Sequence, residues 1–191
     1  MTADLIHRYA EGAKVEIKTL HGEGRATLSV AEKAQVTFRR LSVIGGGDDG
    51  HHFEIGEGAL ARGMAMAMRG KIPRSIRIGD NFSCGSMIIN AYDADIEIGD
   101  DVLISSNVSI RTHDMHMILD AETGAVLNPA KPVIIEDHVW IGESVKIMPG
   151  VRIGRDSVIG IGTVVTRDVP PGCVFAGVPG KVRREGVTWR K

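Results

Sequence analysis

Aliphatic residues stand six positions apart through the last third of the chain: Ile135, Ile141, Ile147, Ile153, Ile159 and Val165, with no member missing. A second series follows four positions after each of these: Val139, Val145, Val151, Ser157, Thr163 and Val169. Glycine directly follows the aliphatic residue at Gly142, Gly154 and Gly160. A period of six is neither the 3.6 of an amphipathic helix nor the two of a flat strand. It is the period of a hexapeptide repeat, in which short strands and turns alternate along a parallel β-helix. Three hexads close a triangular coil, and the inward residues of successive coils stack into one core. Each buried Ile or Val contributes roughly 1.5–3 kcal/mol. Glycine is expected at the corners because it tolerates positive φ, and Asp137 and Asp156 beside the corners can accept local backbone hydrogen bonds.

The same phase runs upstream. Ile98, Ile104 and Ile110 fit it, with Val102 and Val108 four positions on. So do Leu60, Met66, Ile72, Ile78 and Cys84, with Met64, Ile76, Phe82 and Ile88. The two groups differ in register by two residues, which places an insertion near residues 90–95. Met64, Met66 and Met68 read as core, since Met fills irregular gaps.

A chain of 191 residues suits one domain, and 24 glycines with only 4% aromatics suit a thin, turn-rich solenoid. The net charge of −1 gives no electrostatic reason to expect nucleic acid or an anionic membrane. No apolar run approaches the length of a membrane span, the start lacks a signal-peptide core, and the expected location is cytoplasmic. Cys84 and Cys173 form no metal or redox spacing, and Cys84 takes an inward repeat position.

Residues 1–52 are expected to form a β-rich cap or irregular first coils. They contain a short helical turn within residues 1–12 and alternating strands at Val15–Leu20, Ala26–Val30 and Gln35–Ile44. Residues 53–174 form the repeat, and residues 175–191 a basic tail. The turn GGGDDGHH holds two aspartates and two histidines, but their spacing matches no standard metal site. Ile110 and Ile135 stand twenty-five positions apart, not a multiple of six, and the interval is rich in polar and turn-forming types. A solenoid places such insertions as loops on one face, often the binding face. The protruding loop is expected at about residues 111–132.

His113 and His116 lie in that loop with Asp114 between them. An imidazole can take a proton from an attacking hydroxyl, and a carboxylate can orient it. His138, at an outward repeat position, reads as a solvated side chain. Trp140 precedes the inward Ile141, so its ring should project from the prism. There it either offers a flat apolar surface to a thioester arm or is covered by the loop or another subunit. Arg167, Lys181, Arg183 and Arg184 can pair with phosphates or form a solvated tail.

These segments resemble the hexapeptide-repeat acyltransferases, in particular galactoside, maltose and polysaccharide O-acetyltransferases. The resemblance is carried by IGDDVLISSNVSIRTHDMH, then by NPAKPVIIEDHVWIGESVKIMPGVRIGRDSVIGIGTVVTRDVPPGCVFAGVPGKVRR, and covers about the last half of the chain. The stretch Thr112, Asp114, His116 with Asn128–Pro132 is most similar to capsule and exopolysaccharide O-acetyltransferases. The resemblance implies an all-β fold, a left-handed parallel β-helix with a protruding loop and a short C-terminal tail. It also implies a homotrimer with acetyl-CoA bound between subunits, a carbohydrate acceptor, and no resident metal. His116 matches the family's catalytic histidine, and His113 is the second choice. Trp140 matches the tryptophan near the thioester. Gly142, Gly160, Thr166, Arg167, Lys181 and Arg184 match positions lining the coenzyme A groove, and Asp93 an acidic acceptor-binding residue. A backbone amide near Trp140–Gly142 is expected to hold the oxyanion. The N-terminal third departs from the galactoside and maltose enzymes, which begin with a helical segment, and so points away from a small free sugar as acceptor.

The alternatives are acetylation of an amino sugar, an antibiotic, a serine hydroxyl or another small acceptor, a zinc site built from His113, His116 and His138, and a non-enzymatic scaffold.

Overall fold

The computed structural model describes residues 3–191. Twenty strands and no helix are found among them, and they wind as a left-handed parallel β-helix. Three columns of parallel strands form three faces. The first face runs through Asp4–Tyr9, the end of Leu20–Val30, His51–Ile55, Ser75–Ile78, Ile96–Ile98, Val133–Ile135 and Arg152–Ile153. The second starts at Lys14–Ile17 and climbs through Ser83–Cys84, Leu103–Ile104, Trp140–Ile141 and Val158–Ile159 to Cys173–Gly177. The third uses the ends of Gln35–Gly45 and Leu60–Gly70, then Met87–Tyr92, Val108–Arg111, Lys146–Ile147 and Val164–Val165.

The six-residue column is the core. Ile135, Ile141, Ile147, Ile153, Ile159 and Val165 are at most 1% exposed. The second series is buried too, including Ser157 and Thr163. Their hydroxyls stay hydrogen-bonded inside, to the carbonyls of Pro170 (2.7 Å) and Gly160 (2.6 Å), as burial of a polar group requires. Met64, Met66 and Met68 are buried in the same core. Burial pushes the Cys84 thiol up to about 12, which leaves it an inert core residue.

Coil length explains where the periodic reading fails. Ile135 pairs with Ile153, eighteen residues on. Earlier coils are longer: Ile78 pairs with Ile98, Ile55 with Ile78 and Val30 with Ile55. The surplus before the loop lies between Cys84 and Ile98, at the expected insertion. Leu60, Ile72 and Ile88, assigned inward by counting sixes, are exposed by 38%, 54% and 49%. Ile72 falls in the surplus turn at residues 71–74. The second-to-third corner is instead one residue short: Ala61, Cys84 and Ile104 share one inward column, and Met64, Met87 and Val108, the next, follow them by three, three and four residues. With a side-chain period of two, that one-residue shift turns Leu60 and Ile88 outward. Thus Met87 and Ile89 are buried and Ile88 is not. The short helical turn expected within residues 1–12 is strand instead at Asp4–Tyr9, with residues 1–2 outside the described part. This strand pairs along its whole length with Arg25–Val30, so hydrogen bonding within the sheet overrides local preference.

The corners invert the expected reason for glycine. Gly142, Gly154 and Gly160 do not have positive φ. They are glycines because the next coil lies too close: a Cβ at Gly154 would sit 2.5 Å from the Pro171 nitrogen, and one at Gly142 2.8 Å from the Ile159 carbonyl oxygen. Positive φ falls two residues later, at Asn81, Asp101, His138, Ser144 and Asp156. Short polar side chains tolerate that region better than most.

All the excursions lie at one edge. Residues 46–50, 71–74, 93–95 and 112–132 each leave the third face and return to the first. This third-to-first corner is where the fold offers loops.

Candidate active site

The long loop is a hairpin fastened at its base. Thr112 is fully buried. Its hydroxyl donates to the Tyr92 carbonyl (3.0 Å) and accepts from the Tyr92 N–H (2.8 Å). Lys131 N–H donates to the Thr112 carbonyl (2.9 Å) and closes the base. Further out, Leu119 and Val126 bridge antiparallel. Asp120 shapes the tip by accepting from the Thr123 and Glu122 amides. Those bonds, with the Thr123 amide foremost, hold its carboxyl below the usual carboxylate range.

Asn128 joins the two limbs. Its Nδ2 donates to Asp114 (3.1 Å) and to the His116 carbonyl (3.0 Å), and its Oδ1 accepts from the Ile118 N–H (2.6 Å). Asp114 therefore braces the loop rather than contacting either imidazole. His113 stacks on Tyr92 at 5.0 Å, and its Nδ1 accepts the Met115 N–H at 2.7 Å. With Nδ1 used as an acceptor, a neutral His113 carries its proton on Nε2 and presents a donor outward. The His116 ring is exposed and has no hydrogen-bond partner among the described residues, so a ring nitrogen is free to accept. Tyr92 and the clamping role of Asn128 were not read from the sequence. Strand alternation does put Tyr92 outward, one coil below His113.

A second group of side chains sits elsewhere. Trp140 is on the second face, paired with Leu103 and Val158 and 39% exposed. Cys173–Gly177 continues that face and turns into Gly180–Glu185, which carries Lys181 and Arg184 on an exposed antiparallel strand. The chain then folds back. Trp189 is 7% exposed, donates to the His138 carbonyl (2.7 Å), stacks on the His138 ring at 4.5 Å and lies 6.1 Å from Trp140. His138 is thus no free solvated side chain: its Nδ1 also meets Asp156 at 2.7 Å. Thr166 and Arg167 are exposed at the third-to-first corner of the last full coil, and Asp93 at the same corner lower down. The structure therefore divides the sequence-derived residues in two. His113, Asp114, His116, Asp93, Thr166 and Arg167 occupy the looped corner. Trp140, Gly142, Gly160, Lys181 and Arg184 occupy the second face and its edge. Within one chain the two groups do not meet.

The oxyanion expectation needs correction. The Trp140 and Gly142 amides donate to the carbonyls of Ser157 (2.9 Å) and Ile159 (2.8 Å). Amides already spent on coil pairing are not free for a developing oxyanion. Gly142 and Gly160 also have a packing reason to be glycine, since a Cβ at Gly160 would lie 2.9 Å from that of Ala176.

Residues 132–167 match the bacterial transferase hexapeptide family (six repeats). The chain carries the repeats of this family over that segment. It is 44% identical over 113 residues to a galactoside O-acetyltransferase of Escherichia coli (strain K12), an alignment covering 58% of this chain and 54% of that one. The chain thus spans about half the length of the curated relative it matches. In three dimensions it resembles a polySia-specific acetyltransferase with a TM-score of 0.77 and 25% identity, over 100% of this chain and 89% of that one. A galactoside acetyltransferase in complex with coenzyme A matches with a TM-score of 0.51 and 41% identity, over 58% of this chain and 55% of that one.

Two other places on the molecule do not form a comparable site. An open concavity of about 1000 Å³ runs along the first face. Several of its charges are paired with one another, as in Arg77–Glu54 and Arg152–Glu136. No group of three or more His, Cys, Asp or Glu that could hold a metal is found among the described residues. His51, in the GGGDDGHH turn, is fully buried, with Nδ1 accepting the Arg74 N–H (3.1 Å) and Nε2 facing the Ile44 carbonyl (3.2 Å). Both its nitrogens are committed to holding two corner turns.

Proposed function

We propose that the protein is an acetyl-CoA-dependent O-acetyltransferase acting on a carbohydrate hydroxyl in glycan biosynthesis, with its active sites assembled between the subunits of a homotrimer. The observation that carries this reading is the pinned loop, which holds one imidazole with a free acceptor nitrogen on a scaffold otherwise built of coils. The named relatives support acetyl transfer to a carbohydrate. The coenzyme A-bound galactoside acetyltransferase supports the donor. A cytoplasmic location fits a reaction that draws on acetyl-CoA.

His116 acts as general base. Its ring takes the proton of the acceptor hydroxyl as the oxygen attacks the thioester carbonyl, and returns it to the departing thiolate of coenzyme A. His113 is the poorer base, because its Nδ1 is tied to the Met115 amide. Its Nε2–H suits it to donate to acceptor or oxyanion. No covalent acyl-enzyme is invoked, since both thiols, Cys84 and Cys173, are buried.

Two features support a homotrimer. The looped corner and the Trp140 face are separate in one chain, and the hairpin exposes Met115, Met117, Ile118, Leu119, Val126 and Leu127 by 44–67%. A contiguous apolar surface of this kind marks an interaction site. A neighbouring subunit's second face, with Trp140 and the Lys181–Arg184 edge, is the natural cover. It would bring donor and base together.

The test is acetyl-CoA turnover against an oligosaccharide panel, with product mass. His116→Ala should lower kcat by roughly 10²–10⁴ while donor affinity is kept. His113→Ala should cost less. If His113→Ala is the inactive variant, the assignment of the base is wrong. If both retain full activity, the acetyltransferase reading fails.

A further inference from the structure

The third face ends at the looped corner, and its outward side chains differ in kind from those of the other faces. Every ion pair among the described residues lies on the first face or at the corner that follows it. The third face carries Arg40, Arg69, Arg111 and Lys146, and none of them is in an ion pair. Strand alternation points each outward, since their neighbours Leu41, Met68, Ile110 and Ile147 are fully buried. The one acid on the face is Glu23, on the first coil. Asp93 and Asp114 stand at the adjoining corner, within ion-pair distance of none of the four cations.

Between the cations most floor residues are small, with Ile88 and Asn90 larger. One outward row reads Arg40, Ala65, Ile88, Ser109, Lys146, and the next reads Ser42, Ala67, Asn90, Arg111. The row nearest the corner reads Arg69, then Tyr92, and His113 stacks on Tyr92 at 5.0 Å. That row leads directly to the loop bearing His116. Adjacent coils are about 4.8 Å apart, so the four steps from Arg40 to Lys146 span about 19 Å. This is the length of several sugar units rather than one.

We propose that the third face is the acceptor track of the site described above, and that it takes an extended polysaccharide whose sugars bear carboxylates. The inference rests on the acetyltransferase reading for its catalytic end, but not for binding. Unpaired guanidinium groups are suited to bidentate carboxylate recognition. The Tyr92 and His113 rings offer a stacking surface to the apolar face of a sugar, and Ser42, Ala65, Ala67 and Ser109 leave room for a chain to lie close to the sheet. A neutral glycan would leave four cations uncompensated along its path. A small free sugar would contact only the last row.

The experiment measures binding in the absence of acetyl-CoA. Isothermal titration compares a carboxylated homo-oligosaccharide, an oligosialate or an oligogalacturonate, with a neutral glucan oligomer of equal length. The carboxylated chain should bind more tightly, and its affinity should fall as salt screens the contacts. Arg69→Gln with Arg111→Gln should weaken it by about tenfold or more, each lost charge-assisted contact being worth about that factor. Arg77→Gln, on the first face, serves as the control and should not. Equal affinity for the neutral oligomer would overturn the proposal. So would equal harm from Arg77→Gln, or a double variant whose sedimentation shows altered assembly, which would make these arginines interface residues. If the carboxylated chain binds through these arginines and yet no acetyl group is transferred, the track stands and the catalytic reading falls.

Discussion

The stacking of coils makes Gly79 less replaceable than any positive-φ glycine of the chain whose Cβ direction is open. Gly79 does not have positive φ, so backbone conformation alone would accept alanine there. Space would not: an added Cβ lies 2.2 Å from Asp100 Oδ1, 2.7 Å from the Gly99 carbonyl carbon and 2.8 Å from its oxygen. Relief needs a movement of about 1 Å by the carboxylate or the coil above. The same Asp100 oxygen accepts the Asp80 N–H at 2.8 Å, so moving it leaves that amide poorly paired. A lost or strained bond of this kind costs about 1–3 kcal/mol, and overpacking against backbone adds about 1–3 kcal/mol. Gly79→Ala should therefore destabilise by about 2–6 kcal/mol. Gly162 is the comparison. Its φ is +67° and nothing lies within 4 Å of an added Cβ, so Gly162→Ala should cost only the left-handed backbone term, about 1–2 kcal/mol. Urea and thermal unfolding of both variants measure the difference. In an Asp100→Ala background the carboxylate clash disappears and the backbone contacts remain, so Gly79→Ala should cost less there, a non-additivity expected of touching residues. If Gly79→Ala is as mild as Gly162→Ala, close coil approach is not what selects glycine at these corners.

Two further outcomes follow from the site and its surroundings. Burial holds the His51 imidazole below the ordinary histidine range, more than the Ile44 carbonyl raises it, with His52 and Arg74 lowering it further. The neutral ring therefore contributes stability that is fully present above about pH 6.5, the unfolded value. It is lost as pH falls below that value, because the unfolded chain takes up a proton the folded chain resists. His51→Gln should flatten the fall in urea midpoint between pH 7.5 and 5.5, and an unchanged slope would reject this role. If sites form between subunits, His116→Ala and Trp140→Ala chains, each inactive alone, should regain activity when refolded as a mixture. In a closed trimer with one loop and one face per site, about one quarter of sites are intact in an equal mixture. No recovery would place both residues in the same subunit's site.

The core was legible because a six-residue period repeats without interruption from Ile135 to Val165, where each coil has eighteen residues and every aliphatic position falls on the same inward column. Upstream the third-to-first corner is longer and the second-to-third corner one residue shorter, so counting sixes put Leu60, Ile72 and Ile88 on the wrong side. Strand alternation within Met87–Tyr92 would have corrected Ile88, since Met87 and Ile89 are the apolar pair that face in. Corner chemistry was misread for a different reason. Glycine preference is consistent with both positive φ and close approach, and sequence does not say which. Only the backbone φ and the distances across coils distinguish Gly79 from Gly162.

The loop was legible as an interruption, but its internal order was not. Nothing in THDMH says that His113 gives its Nδ1 to a backbone amide two residues on while the His116 ring stays free, because that depends on the positive φ of Met115. Nor could spacing reveal that Asn128 spans twelve to fourteen residues to hold Asp114 and the His116 carbonyl. These two facts bear on mechanism more than the histidine count does. An imidazole that must lose a hydrogen bond before accepting a proton is handicapped as a base, and one whose backbone is clamped while its ring is free is not. The same logic links the loop to the third face. Tyr92 is fixed by Thr112 on one side and carries His113 on the other, so a chain lying along Arg69 and Tyr92 would be aligned with the loop before it reached His116. On the proposed reading, the coil ladder, and not the loop sequence, would set the direction from which an acceptor approaches.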